Sequence, residues 1–151
     1  IVAKNMKQLN MDVQLFQSSG FGNIKYAKEA GEAGEGIIFP CGRLLIAESL
    51  PDNHPQKEVL MKYKKDFESK FGEDASTFGG HAYDAVIILA EAIKKGGADK
   101  EKVRDAIEGL KGFAGIGGIY NFSPQDHLGL DINAFDMLTV KGGKFVKYED
   151  K

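Results

Sequence analysis

The sequence has no tryptophan, four prolines and a single cysteine among its 151 residues. One cysteine cannot form an internal disulfide. Cys41 also has no second cysteine with which to build a zinc site. A surplus of positive charge is missing too. Twenty Lys and Arg stand against 22 Asp and Glu, for a formal net charge of -2. That balance argues against nucleic acid or an anionic membrane as a partner. No apolar run approaches the ~20 residues a membrane helix requires. The first residues carry Lys4 and Lys7 but no continuous apolar stretch of the signal-peptide kind. What is present, 42% hydrophobic and 28% charged residues, is the composition of an ordinary globular domain.

Val2, Met6 and Leu9 already follow helical spacing, and no capping residue precedes them. The chain therefore reads as a fragment that opens inside a helix. Asp12–Gln17 is β-like, and Ser18–Asn23 has loop composition with Asn23 as a helix N-cap. Ile24, Ala27 and Ala30 mark a short helix that Gly31 stops, and 36–40 reads as a buried strand. This alternation predicts an α/β domain with a parallel sheet flanked by helices.

Further on, Val59, Tyr63, Phe67 and Phe71 predict a long helix ended by Gly72, with Glu58–Lys62 and Asp66–Lys70 as ion pairs. Thr77 is positioned to cap the next helix, which runs to about Lys95 and is apolar almost all round between Ala82 and Ala92. Lys100–Leu110 is amphipathic, and Gly118–Phe122 is strand-like. Phe135–Val140 and Phe145–Tyr148 flank Gly142-Gly143, a β-hairpin signal. Residues 41–117 thus hold three helices and no convincing strand, so the helix over 77–95 lacks a surface to cover it. A sheet made by chain outside this sequence is the inference.

Candidate chemistry is sparse. His54, His81 and His127 form no metal-ligand spacing. Cys41 with His81 or His127 could be imagined as a nucleophile and base, but a free cysteine is usually buried and inert. The glycines at 31–36 and 115–118 match no phosphate-binding motif. Ser18, Ser19 and Gly20, between a strand and a helix, are better placed. Ligands in open α/β sheets bind beyond the carboxyl ends of strands, and hydroxyls with free N–H groups suit a carboxylate. The alternative is that the serines only cap the helix. Thr77–Ala85 places aromatic and polar side chains together at a helix start. The plain reading there is that Phe78 and Tyr83 pack and Asp84 bonds near the first turns.

Four motifs occur in order: Ala30–Ile38, Leu50-Pro51-Asp52, His81–Val86 and Tyr120–Gly129. Together they resemble the C-terminal half of type I periplasmic solute-binding proteins, in particular the branched-chain amino-acid receptors of ABC importers. The resemblance implies a two-lobed α/β fold with a ligand in the interlobe cleft. Residues 1–40 and 132–151 would belong to the second lobe, and 41–131 to a first lobe whose main sheet is missing. In amino-acid-binding members the Ser18–Asn23 loop carries an acidic residue that holds the ligand's ammonium, and that position is Ser19 here. Phe78 matches a cleft-lining position.

The expectation is an extracytoplasmic receptor, periplasmic or extracellular, without catalysis, cofactor or metal. It would bind a small carboxylate, either an aromatic or organic acid or a branched-chain amino acid. Ser18, Ser19 and Gly20 would supply polar contacts, and Phe21 and Phe78 apolar ones. Its partners would be an ABC importer permease and the missing N-terminal half or an intertwined copy, with no nucleic acid. Alternatives are a sensory domain of a receptor or regulator and, remotely, a Cys41-dependent hydrolase.

Overall fold

The computed structural model describes residues 1–149. Its helices are α1 (Val2–Gln8), α2 (Ile24–Ala30), α3 (Lys57–Phe71), α4 (Thr77–Gly96) and α5 (Lys100–Glu108). Its strands are β1 (Ile38–Cys41), β2 (Phe113–Ala114), β3 (Ile119–Tyr120), β4 (Asp136–Lys141) and β5 (Lys144–Lys147). Positions 150 and 151 of the expected 132–151 segment lie outside the described residues.

Local chemistry sets most boundaries. Asn23 accepts from the Lys25 N–H at 2.9 Å and opens α2. Gly72, at φ 68°, closes α3 in the left-handed conformation. Asp99 caps α5 through the N–H groups of Glu101 and Lys102. The cap of α4 is Ser76 and not Thr77, because Ser76 is the extended residue whose hydroxyl accepts from Gly79. On α3 the buried face centres on Leu60 and Tyr63 while Phe71 is exposed, and Lys62 pairs with Asp66 rather than with Glu58.

The sheet differs in direction from the expectation. Asp12–Gln17 contributes one parallel bridge, Phe16 to Ile38, and β1, β4 and β5 pair antiparallel in the order β1-β4-β5. β4 and β5 form the C-terminal hairpin. Gly142 and Gly143, at φ 58° and 71°, make the turn that favours this pairing. Phe39 and Leu138 face each other in the register, and both are wholly buried.

Three apolar clusters result. The first joins Ala27, Ile37, Phe39, Cys41 and Ile46 to Leu138, Val140 and Phe145. The second joins Leu44, Ala47, Leu60, Tyr63, Ala75 and Ile116. The third is Ile88, Tyr120 and Phe122, with Ile107 of α5 and Leu110, Phe113 and Leu130 against it. Helix α4 buries Gly80, Asp84, Ile88 and Ala92 along one face. Its other face presents Val86, Leu89 and Ile93 to solvent. Asp84 does not bond within its own first turns. Its carboxylate reaches the Ile116 and Gly117 N–H groups at 2.7 Å each and the Tyr120 hydroxyl at 3.0 Å. The Gly115–Gly118 stretch is therefore a loop closed on an internal carboxylate.

Candidate ligand site

The serine loop leaves the Phe16 bridge and turns through a short 3-10 segment, Ser19–Phe21. The Phe21 N–H bonds the Ser18 carbonyl at 3.0 Å, and the Gly22 N–H bonds the Ser19 carbonyl at 2.9 Å. Ser18, Ser19 and Gly20 are exposed. Because Asn23 supplies the cap of α2, the serines are not needed for it. Among the described residues neither serine hydroxyl makes a side-chain hydrogen bond.

The loop meets the start of α4 at one point. Thr77, buried, donates its hydroxyl to the Gly22 carbonyl at 3.2 Å. Gly22 is confined there. A Cβ on it would lie 2.6 Å from the Cys41 Sγ, 2.9 Å from the Ser19 carbonyl and 3.2 Å from the Thr77 Oγ1. The end of β1, the serine loop and the α4 N-terminus thus converge. Next to this junction Phe78 is 57% exposed. Beside it, Lys28 of α2 pairs with Asp74 of the α3–α4 connection at 2.8 Å, an exposed contact of little energetic weight.

Of the five residues singled out in the sequence, four are presented to solvent around this junction, and Phe21 is half-buried. Phe21 packs edge-on to Phe39 at 5.2 Å and to Phe145 at 6.0 Å. Its half-buried ring packs against the first cluster and anchors the loop there. Tyr83 leans on Tyr63 at 5.1 Å. The sequence offers Thr77 as a candidate cap at the start of the Thr77–Ala85 stretch. Its bond to Gly22 spans residues no local pattern relates.

Cys41 is unsuited to catalysis. It is buried, and desolvation pushes its thiol up from the ordinary range, the reverse of an activated thiolate. Its side-chain partner is Thr77 rather than a histidine. His127 faces Glu108, the last residue of α5, at 3.1 Å.

A family model described as periplasmic binding protein matches residues 2–144. The chain belongs to the periplasmic binding protein family. A curated relative is the leucine-, isoleucine-, valine-, threonine- and alanine-binding protein of Pseudomonas aeruginosa. It is 28% identical over an alignment of 131 residues that covers 81% of this chain and 33% of that protein. An extracellular ligand-binding receptor from Rhodopseudomonas palustris HaA2 superposes with a TM-score of 0.88 at 26% identity, over 98% of this chain and 44% of that one. A periplasmic binding protein type 1 from Bordetella pertussis gives a TM-score of 0.74 at 26% identity, over 98% and 42%. This periplasmic binding protein chain therefore has the type I fold, and it spans about a third of its curated relative and less than half of these structural ones. No helix among its described residues is long and apolar enough to cross a membrane.

Proposed function

We infer that the chain is part of an extracytoplasmic solute-binding receptor that delivers a small carboxylate to an ABC importer permease. It forms one wall of the cleft. Residues 1–40 and 132–149 build the second lobe and most of the first apolar cluster, which Cys41 and Ile46 complete, and 41–131 return to the first lobe. The exposed face of α4 is then the side covered by the rest of the receptor.

The observation that carries this reading is the pair of free hydroxyls on Ser18 and Ser19, held beside the α4 start by the Thr77–Gly22 bond. Ser18, Ser19 and the Gly20 backbone are the polar contacts, and Phe78 the apolar one. Function here is capture without chemistry. The curated relative is named for amino acids. Serine at position 19 offers no carboxylate for an ammonium group, which favours an aromatic or other organic acid over an amino acid as ligand.

Titration calorimetry on the complete receptor tests this. An aromatic carboxylate, a branched 2-oxo acid and leucine serve as the probes. Binding of at least one acid lacking an ammonium, weakened about tenfold by Ser19→Ala as for loss of one hydrogen bond to a charged group, is expected. Equal binding by wild type and Ser19→Ala, or binding of leucine alone, would overturn the assignment.

A further inference from the structure

Lys28 and Asp74 are anchored in different parts of the core. Lys28 follows Ala27, which is 1% exposed in the first cluster. Asp74 precedes Ala75, which is 8% exposed in the second. Helix α2 packs on β5, and α3 packs on the 43–49 segment. Glu68 of α3 accepts the Ala75 N–H at 3.3 Å, which fixes the Asp74 segment to its own helix. The Lys28–Asp74 pair, at 2.8 Å, therefore joins two bodies that are each built without it.

The pair spans a surface groove of about 580 Å³ whose walls are opposite in charge. Lys25 and Lys28 stand on the α2 side, and Glu68, Glu73 and Asp74 on the other. Lys25 and Glu73 are exposed, and among the described residues neither has an ion-pair partner. Complementary charges are left over on facing walls.

Gly22 sits against Cys41, where the chain crosses between the two lobes proposed above. Lys28 lies four helical steps beyond Ile24, about 6 Å farther out. A rotation of the lobes about the crossover moves Lys28 past Asp74 more than it moves Gly22. With its side chains 62% and 54% exposed, the pair is a weak one. Exposed pairs of this kind shift an equilibrium only about two- to fivefold. That is too little to hold two lobes shut, and enough to bias how often they meet. A contact made in one state alone favours that state by its full worth.

We propose that these walls form a reversible electrostatic latch between the lobes, in which Lys28 meets Asp74 and Lys25 then meets Glu73 as the lobes close. The latch rests on the lobe assignment above. It touches no ligand, so ionic strength tunes it whatever solute the cleft takes.

Disulfide trapping in the complete receptor tests it without any solute. Lys25→Cys with Glu73→Cys supplies two exposed thiols, while Cys41 is buried. Diamide should close an intramolecular crosslink between them. Adding Lys28→Glu should slow the crosslink about three- to tenfold at low salt, since attraction to Asp74 becomes repulsion. Rates are normalised to alkylation of the same thiols by iodoacetamide, which reports thiol reactivity alone. Adding Asp74→Lys to the Lys28→Glu variant should restore the rate to within about twofold. In about 1 M salt all three rates should converge. No crosslink, or a rate that Lys28→Glu leaves unchanged at low salt, would overturn the latch. The expected rates in a receptor that binds none of the three calorimetry probes would support the latch and overturn the proposed function instead.

Discussion

The Thr77 hydroxyl donates to the Gly22 carbonyl across 55 residues of sequence, and both groups are buried. It is the point where the serine loop is held against α4. Thr77→Val keeps the shape and removes the donor, leaving the Gly22 carbonyl unpaired away from water. A loss of about 1–3 kcal/mol is expected, read as a lower urea midpoint at unchanged slope. Thr77→Ser keeps the hydroxyl and should recover most of it.

Gly22 is small because of its neighbours and not because of its backbone angles, since its φ is -69°. Gly22→Ala drives a methyl toward the Cys41 Sγ and the Ser19 carbonyl. Overpacking of that kind costs about 1–3 kcal/mol. Cys41→Ala in the same chain should return part of the loss, because it removes the nearest obstruction. A double-mutant cycle checks this, and additive effects would contradict it.

Much of this architecture is legible in the sequence wherever the cause is local. Asn23, Gly72 and the Gly142-Gly143 turn act within a few residues and appear where their chemistry puts them. The four ordered motifs point to the type I fold that the comparisons show. What was not legible depends on distant partners. β1 pairs antiparallel with β4, about a hundred residues on, and nothing near Ile38 encodes that direction. Phe21 reads locally as a loop aromatic, and only the arrival of Phe39 and Phe145 shows that one side of its ring packs against the core. Asp84 interrupts an apolar helix without showing that its partners lie 32 to 36 residues away.

His54 provides a pH signature. Burial and the Arg43 cation lower its pKa from the ordinary 6.5, outweighing the attraction of Asp136. Its Nδ1 also accepts the Gln56 N–H at 3.2 Å, a bond only the deprotonated nitrogen can make. A lowered folded value means that the unfolded chain takes up the proton more readily. The His54 contribution is therefore complete above the ordinary value and is lost as pH falls through the folded one. His54→Gln should flatten the stability profile on the acid side of the ordinary histidine value, measured by chemical denaturation at several pH values.

Glu35 grips the tip of the hairpin. Its two carboxylate oxygens accept the Gly142 and Gly143 N–H groups at 2.8 Å each. The adjacent Gly36 N–H bonds the Val140 carbonyl at 3.0 Å. Glu35→Ala should cost about 1 kcal/mol, since these bonds are charge-assisted but exposed. The loss should show as faster exchange at Val146 and Phe145, with α3 unaffected.

The exposed face of α4 predicts how the isolated chain behaves. Val86, Leu89 and Ile93 lie on one stripe at 66%, 47% and 47% exposure, and Phe78 continues it at 57%. The opposite face is already buried against the second and third clusters, so α4 cannot hide this stripe by turning. Apolar surface of this kind contributes roughly 25 cal/mol per Å² when covered, enough to drive association through several side chains at once. Sedimentation velocity should therefore show concentration-dependent self-association of the chain. Val86→Lys with Ile93→Lys should abolish it and leave the helical circular dichroism unchanged, because neither side chain supports the folded core. A wild-type chain that sediments as a monomer at all concentrations would show that the stripe needs no cover, and would remove the reason for assigning that face to the rest of the receptor.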